Sequence, residues 1–182
     1  MAAYYEAFEA EGRHVVLRNP EPEDAQGMID LVNALDGETV FLSREPGEFE
    51  MTLEKEQAYL AERKASEDSL FLVCEADGVL MGSCQAACGS RRRVSHKATV
   101  GIALRQAVCG LGIGGKMMEA LIAWGKGKGL SHLELEVDCG NLPGLKLYLR
   151  LGFLVGGRKY RARRLADGSF RDDYYMYLPL DK

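Results

Sequence analysis

The stretch Cys109-Gly110-Leu111-Gly112-Ile113-Gly114-Gly115 decides how the rest of the chain is read. It comes after a strand-like run, Ala98 to Leu104, and opens a helix-like run, Lys116 to Lys126. Glycines at such a junction let the backbone turn tightly and let a ligand approach it, while the first N–H groups and the positive dipole end of the helix face that ligand. The natural guest is a phosphate or diphosphate.

Two templates compete for these glycines. Gly110, Gly112 and Gly115 satisfy G-x-G-x-x-G, with Glu134 or Glu136 about 20 residues on, where a ribose-binding acid belongs in a dinucleotide fold. The chain beyond Gly115 argues against that fold. It contains a hairpin signal, Ala166-Asp167-Gly168-Ser169, between strand-like runs, and leaves no room for repeated strand-helix units.

Working outward, His14 to Arg18 reads as a first strand and Pro22-Glu23-Asp24 as the opening of a helix that ends near Gly37. Thr52, with Leu53, Ala58, Leu60 and Ala61 behind it, predicts a second helix. Leu70 to Ala76 and Val79 to Ala87 flank Asp77-Gly78, a type I′ hairpin signal. Beyond the glycine loop come a helix to about Gly127, a strand Leu133 to Val137, a helix Leu142 to Leu151 and the closing hairpin.

Composition bounds the function. The chain has 182 residues, 47% hydrophobic and 27% charged, which suits one domain with a sizeable core. Met1 to Gly12 lacks the basic start and apolar run of a leader, and no segment approaches the ~18 apolar residues of a membrane span. The five cysteines, at 74, 84, 88, 109 and 139, form no C-x-x-C pair, and His14, His96 and His132 stand at no ligand spacing. Reduced thiols, a cytoplasmic location and no metal site are therefore expected. Residues 1 to 70 carry 17 acidic and 6 basic side chains, whereas residues 71 to 182 carry 10 acidic and 17 basic. Such a split either steers an anionic cofactor to one half and a cationic amine to the other or reflects solvated helix faces. The acidic half makes nucleic acid a poor partner.

Gly112-x-Gly114, then Asn141, then Lys146-Leu147-Tyr148 and Leu151-Gly152-Phe153, together resemble the GNAT superfamily of acetyl-CoA-dependent N-acetyltransferases. The likeness covers about Thr99 to Leu180. The tail Gly156-Gly157-Arg158, Asp167-Gly168 and Asp173 to Met176 resembles the polyamine and amino-acid acetyltransferase branches. The resemblance implies an α/β (α+β) fold: a mixed sheet of about seven strands with helices on both faces, ordered β-α-α-β-β-β-α-β-α-β-β, in one N-acetyltransferase domain over 1–182.

It also implies roles, residue by residue. The loop Cys109, Gly110, Leu111, Gly112, Ile113, Gly114 and Gly115 would hold the coenzyme A diphosphate on backbone N–H groups, with Cys109 standing where the family usually has Gln or Arg. A helix end beside Cys109 would also make its thiol more acidic. Ile102, Ala103 and Leu104 would pair with the pantetheine arm through the strand's backbone, one N–H polarising the thioester carbonyl. Asn141 would reach the pantetheine portion or simply cap the next helix. Tyr148 would protonate the departing thiolate, and Lys146 would approach the phosphates.

A substrate ammonium must lose a proton before it attacks. Thr99 occupies the position where many relatives place a glutamate base, so deprotonation runs through water to Glu38, Glu136 or another carboxylate, or the amine arrives already neutral. Glu136 is the candidate base and Glu38 is also a candidate substrate contact. Glu134 and Glu136 share a sheet face; alternatively the pair is simply solvated or helix-paired. The reading is an acyltransferase that moves acetyl from acetyl-CoA to a primary amine, on a small cationic molecule, by direct attack in a ternary complex. A protein N-terminal or lysine acetyltransferase and a catalytically inactive acyl-CoA sensor are the alternatives. The closing hairpin offers an edge for a homodimer.

Overall fold

The computed structural model describes residues 3–180. The readings of Met1 to Gly12 as leader-free and of 1–182 as one domain reach beyond these residues at their ends. The strands are β1 (Tyr5–Ala10), β2 (Arg13–Arg18), β3 (Ser69–Ala76), β4 (Val79–Cys88), β5 (Lys97–Leu104), β6 (His132–Asp138), β7 (Leu154–Arg164) and β8 (Phe170–Pro179). The helices are α1 (Ala25–Glu38), α2 (Leu53–Ala65), α3 (Ile113–Gly127) and α4 (Leu142–Arg150). All eight strands form one mixed sheet in the order β1-β2-β3-β4-β5-β6-β8-β7.

Burial of β3 shows how the layers are arranged. Leu70, Leu72, Cys74 and Ala76 join the core beneath α3, with Ile113, Met117, Met118 and Leu121. Phe71 and Val73, alternating with them, join Met28, Leu31 and Leu35 of α1 and Leu60 of α2. A strand covered on both faces needs a near-continuous apolar run rather than alternation, and Leu70-Phe71-Leu72-Val73-Cys74 supplies one. Helices therefore lie on both faces, as expected.

The strand count exceeds expectation by one. Tyr5–Ala10 pairs antiparallel with β2 through a turn at Glu11-Gly12, where both φ angles are positive, 48° and 78°. Glu6 and Phe8 lie on its half-buried face and Tyr5, Ala7 and Glu9 on the exposed one, so the strand has no apolar alternation to reveal it. Thr52 caps α2 as expected, accepting a hydrogen bond from the Lys55 N–H. A short 3₁₀ turn, Pro22–Asp24, precedes α1, and α3 begins at Ile113, three residues before the apolar periodicity suggested.

One irregularity creates the site. β5 and β6 pair in parallel only through Lys97–Thr99 and His132–Glu134. Beyond that point β5 continues on β4 alone and β6 on β8 alone. The two strands splay, leaving the β6-facing edge of β5 from Val100 to Leu104 without a strand partner.

Candidate active site

The glycine loop stands at the mouth of this splay. Gly112 is the residue before the first turn of α3, and Gly110 and Gly112 have φ of 84° and 81°. These angles strain any residue with a Cβ, and a Cβ at either position would meet nothing within 4 Å, so the glycines serve backbone shape and open approach. The N–H groups of Gly110, Leu111, Gly112, Ile113 and Gly114 have no acceptor among the described residues, whereas Cys109 and Gly115 donate to Gln106 and Gly112 carbonyls. Five successive free donors at a helix start suit an anion with several oxygens, and the donor set fits a diphosphate.

Three separate motifs meet at Gly114. A Cβ there would lie 3.4 Å from Leu104 Cδ1 of β5 and 3.4 Å from Leu147 Cδ2 of α4, with Ile102 Cδ1 at 3.7 Å. The splayed strand edge, the loop and the helix carrying Tyr148 thus converge. Asn141 caps α4, its Oδ1 accepting the Gly144 N–H at 3.0 Å. Tyr148 is the buried side chain of α4, its ring 5.8 Å from that of Phe153. Burial pushes its phenol up to about 12, and its hydroxyl has no hydrogen-bond partner among the described residues. Lys146 is exposed one turn before Arg150 on the same helix.

Cys109 corrects one expectation. Its thiol donates back to the Arg105 carbonyl at 3.4 Å. Burial, aided by the Glu38 charge, raises its pKa, so the helix end does not make it acidic.

Glu38 lies at the end of α1 and clamps the segment leading into the loop. Its Oε2 accepts the Gln106 N–H at 2.8 Å, and its Oε1 accepts from Arg105. Burial opposes ionisation, but these donors outweigh it and hold the carboxyl below its usual range.

On the open face of the splay the carboxylates differ in their surroundings. Glu136 is exposed and ion-paired with Lys159. Glu134, registered opposite Thr99, accepts from Lys97 Nζ at 2.7 Å, the Tyr175 hydroxyl at 3.0 Å and the Thr99 hydroxyl at 3.4 Å. His132 Nε2 lies 3.8 Å from it. Burial works against the charge, but the Lys97 and Tyr175 hydrogen bonds prevail and lower its pKa. The carboxylate that the structure brings to Thr99 is therefore Glu134.

Two arginines missed in the sequence organise the next wall. Asp138, with a side chain only 1% exposed, ends β6 and pairs with both Arg163 and Arg171. Arg163 also bonds Asp173 at 2.7 Å and the carbonyls of Val40 and Leu42 at 3.1 Å each. The β7–β8 hairpin is so tied to the loop after α1. A pocket of about 560 Å³ opens there, lined among others by Glu38, Phe41, Arg44, Gln106, Arg163 and Leu165. No local sequence signal marks Arg163, since its partners lie 10, 25 and more than 120 residues away. Among the described residues no group of three His, Cys, Asp or Glu side chains could hold a metal, and no helix is long and apolar enough to cross a membrane.

Known proteins share this fold. The chain aligns over 91% of its length with 99% of an acetyltransferase of the GNAT family from Streptococcus pneumoniae, at 26% identity and a TM-score of 0.86. YncA from Salmonella typhimurium, solved with its cofactor acetyl-CoA, has 20% identity and a TM-score of 0.80, covering 92% of this chain and 95% of its own. A ribosomal-protein-alanine N-acetyltransferase from Brucella melitensis has 19% identity and a TM-score of 0.78, covering 90% and 99%. No curated protein matches in sequence. The family model for GNAT acetyltransferases matches residues 36–153, which include the splayed strand, the glycine loop and α4. With the sheet, the loop and the family match in agreement, this chain belongs to the GNAT acetyltransferase family.

Proposed function

We propose that this protein is a single-domain N-acetyltransferase that transfers acetyl from acetyl-CoA to the primary amine of a small cationic molecule. The carrying observation is the convergence at Gly114: five unpaired amides, a strand edge without a partner and the buried Tyr148 helix meet at one point. Bound acetyl-CoA supplies an activated thioester. Gly110 to Gly114 hold its diphosphate on backbone N–H groups, with Cys109 contributing backbone only and Gly115 keeping the first helical turn clear. The edge of β5 at Ile102, Ala103 and Leu104 pairs with the pantetheine amides and directs an N–H at the thioester oxygen. Asn141 keeps its Oδ1 in the cap and turns its amide nitrogen to the same arm. Lys146 adds positive charge near the phosphates, and the Tyr148 hydroxyl donates to the leaving sulfur.

The amine loses its proton on the open face of the splay. Glu136, the candidate base by strand alternation, is paired with Lys159 and lies past the end of the β5–β6 pairing, away from Thr99. Glu134 is paired too, with Lys97, and its hydrogen bond to Thr99 supports it as the carboxylate nearest the acceptor. It takes the role of base through the Thr99 hydroxyl or an intervening water. Glu38 contributes to the acceptor side by holding the pocket wall against Arg105 and Gln106. The tyrosines Tyr175 and Tyr177, stacked at 6.3 Å beside Glu134 and Glu136, form a surface that favours a cation. The reaction runs by direct attack in a ternary complex in the cytoplasm.

The test is release of coenzyme A thiol from acetyl-CoA against polyamines, amino acids, aminoglycosides and short peptides with free N-termini or lysines. Turnover on small cationic amines is the expected result. Turnover confined to peptides moves the assignment to a protein acetyltransferase. Cofactor binding without turnover on any class favours a sensor, the reading that the Cys109 and Thr99 departures support.

A further inference from the structure

The loop after α1 has little backbone structure to hold it. Among the described residues, 40–44 make no hydrogen bond from main chain to main chain, and Val40 is 54% exposed. Arg44 ties one end of the loop to α1, bonding Asp36 at 2.9 and 3.0 Å. The rest is held from the β7–β8 hairpin. Arg163 Nη1 donates to the Val40 and Leu42 carbonyls at 3.1 Å each, and the Arg171 guanidinium lies 5.6 Å from the centre of the Phe41 ring. Both arginines bond Asp138, the buried acid that ends β6, and Arg163 also bonds Asp173. Two guanidiniums on one carboxylate thus clasp three consecutive loop residues.

Strand β7 is distorted beside this clasp. Between Lys159, opposite Asp173, and Arg163, opposite Arg171, it carries residues 160–162 where β8 carries Asp172 alone. Arg161 in this bulge has a φ of 49°, unfavourable for a residue with a Cβ, and its N–H donates to the Asp172 carboxylate at 2.7 Å. Bulges re-aim the side chains beside them, and strained backbone gathers where a site must be shaped. Arg163 is the one residue of β7 that is not exposed. We infer that Arg163 is a positioning residue of the acceptor site: through the clasp it sets the course of Val40, Phe41 and Leu42 along the pocket of about 560 Å³, and so governs affinity for the amine rather than for acetyl-CoA. The inference rests on the acetyl-transfer reading, with that pocket receiving the amine. A lysine in its place would still neutralise Asp138 and Asp173, but a compact ammonium lacks the planar fork that spans two carboxylates and two carbonyls at once.

The experiment compares the whole protein with its Arg163→Lys, Arg163→Gln and Lys128→Gln variants. Steady-state kinetics use acetyl-CoA and the panel amine that turns over fastest, calorimetry measures coenzyme A binding, and limited chymotrypsin digestion measures cleavage after Phe41 or Leu42. Lys128 is the control, because it makes the same kind of tether elsewhere, from its Nζ to the Glu67 carbonyl and the Asp68 carboxylate. Arg163→Lys keeps the charge between Asp138 and Asp173, so it remains a test even where Arg163→Gln fails to fold. In Arg163→Lys the acceptor KM should rise about tenfold and cleavage of the loop should quicken about tenfold, the effect of losing the two carbonyl contacts. Its kcat and its affinity for coenzyme A should stay within about twofold, a split that general structural damage would not give. Lys128→Gln should leave all four quantities within about twofold. An acceptor KM that stays within twofold in the folded Arg163 variants overturns the inference, even if the loop is cut faster. An equal loss of coenzyme A affinity, or an equal rise of KM in Lys128→Gln, also overturns it. A wild-type protein that turns over no amine overturns the acetyl-transfer reading and this role with it, whereas wild-type turnover with an unmoved KM in the variants overturns the role of Arg163 alone.

Discussion

Replacing Tyr148 by Phe separates chemistry from architecture. The Tyr148 ring is buried against Phe153, so Tyr148→Phe keeps the packing, and the hydroxyl it removes has no partner among the described residues. No intramolecular hydrogen bond is lost. Stability should therefore change by less than about 0.5 kcal/mol, which for a chain of this size moves Tm by no more than about 2 °C. The catalytic effect follows from the phenol's acidity. Burial pushes it up to about 12. A thiolate near the ordinary cysteine value of about 8.5 cannot take a proton fully from such a group without a cost of several kcal/mol. Tyr148 then acts by hydrogen bonding to the sulfur as charge develops, and its loss should fall near the lower end of acid catalysis, about 10²-fold in kcat. In barrier terms this is about 2.7 kcal/mol. Because the contact strengthens only as the bond breaks, the KM for acetyl-CoA should stay within about twofold. The assays are thermal denaturation and coenzyme A release with whichever acceptor the panel identifies. A Tm drop beyond about 4 °C would show that the hydroxyl is structural, and an unchanged kcat would refute the donor role.

Gly112→Asp places a side chain at φ 81° and a negative charge among the loop amides, so acetyl-CoA binding by calorimetry should fall by at least 10²-fold in a protein that keeps its circular dichroism. Asp138→Asn removes the charge that Arg163 and Arg171 share at a site 1% exposed. Loss of a buried partner costs about 3 kcal/mol or more, so Tm should fall by roughly 6 °C or more, while the same change at the exposed Glu136 should leave Tm within about 2 °C. The pKa values of Asp24 and Asp138 are also depressed: burial resists, but Arg18 and Arg171 respectively hold each carboxylate charged. With Glu134 lowered as well, the folded state binds protons less readily than the unfolded chain. The stability these groups provide is complete above their unfolded values near 4 and is lost as pH falls through the lower folded values. Tm measured from pH 7 downward should stay level to about pH 5 and then fall; a Tm that rises on acidification would contradict the assignment.

How much of this was legible depended on whether a signal was local. The glycine loop, the Asp77-Gly78 hairpin, the Thr52 cap and the α4 motif each lie within a few residues, and each folds where the sequence places it. The strand at Tyr5–Ala10 escaped because one face is solvated and the other is shared by a glutamate and a phenylalanine. Glu134 and Glu136 look identical in alternation. Their partners separate them, since β5 lies beside Glu134 just before the strands part, whereas Lys159 reaches Glu136 from a hairpin formed later in the chain. Arg163 matters through contacts across elements and stands in no pattern of its own.

Part of the charge asymmetry between the two halves is used in assembly. Glu6 pairs with Lys116, Glu38 with Arg105 and Asp68 with Lys128, each joining the acidic first part of the chain to the basic second. In the acceptor loop, Asp36 is taken by Arg44 and Glu38 by Arg105, whereas Glu45 and Glu48, which also line the pocket, form no ion pair among the described residues. Two of the pairs, those of Glu6 and Glu38, fasten β1 and the end of α1 to the elements around the glycine loop. Glu134 and Glu136, which belong to the basic half, are also paired, with Lys97 and Lys159, but they lie on the open sheet face beside the splay, where an acceptor amine would meet them directly. Thus Glu134→Gln should raise the acceptor KM or lower kcat, whereas Asp30→Asn and Glu23→Gln, on the acidic half and away from the splay, should leave both unchanged even though each removes the same charge. If all three substitutions weakened the acceptor equally, long-range steering by the N-terminal half would be the correct account and the local one would fall.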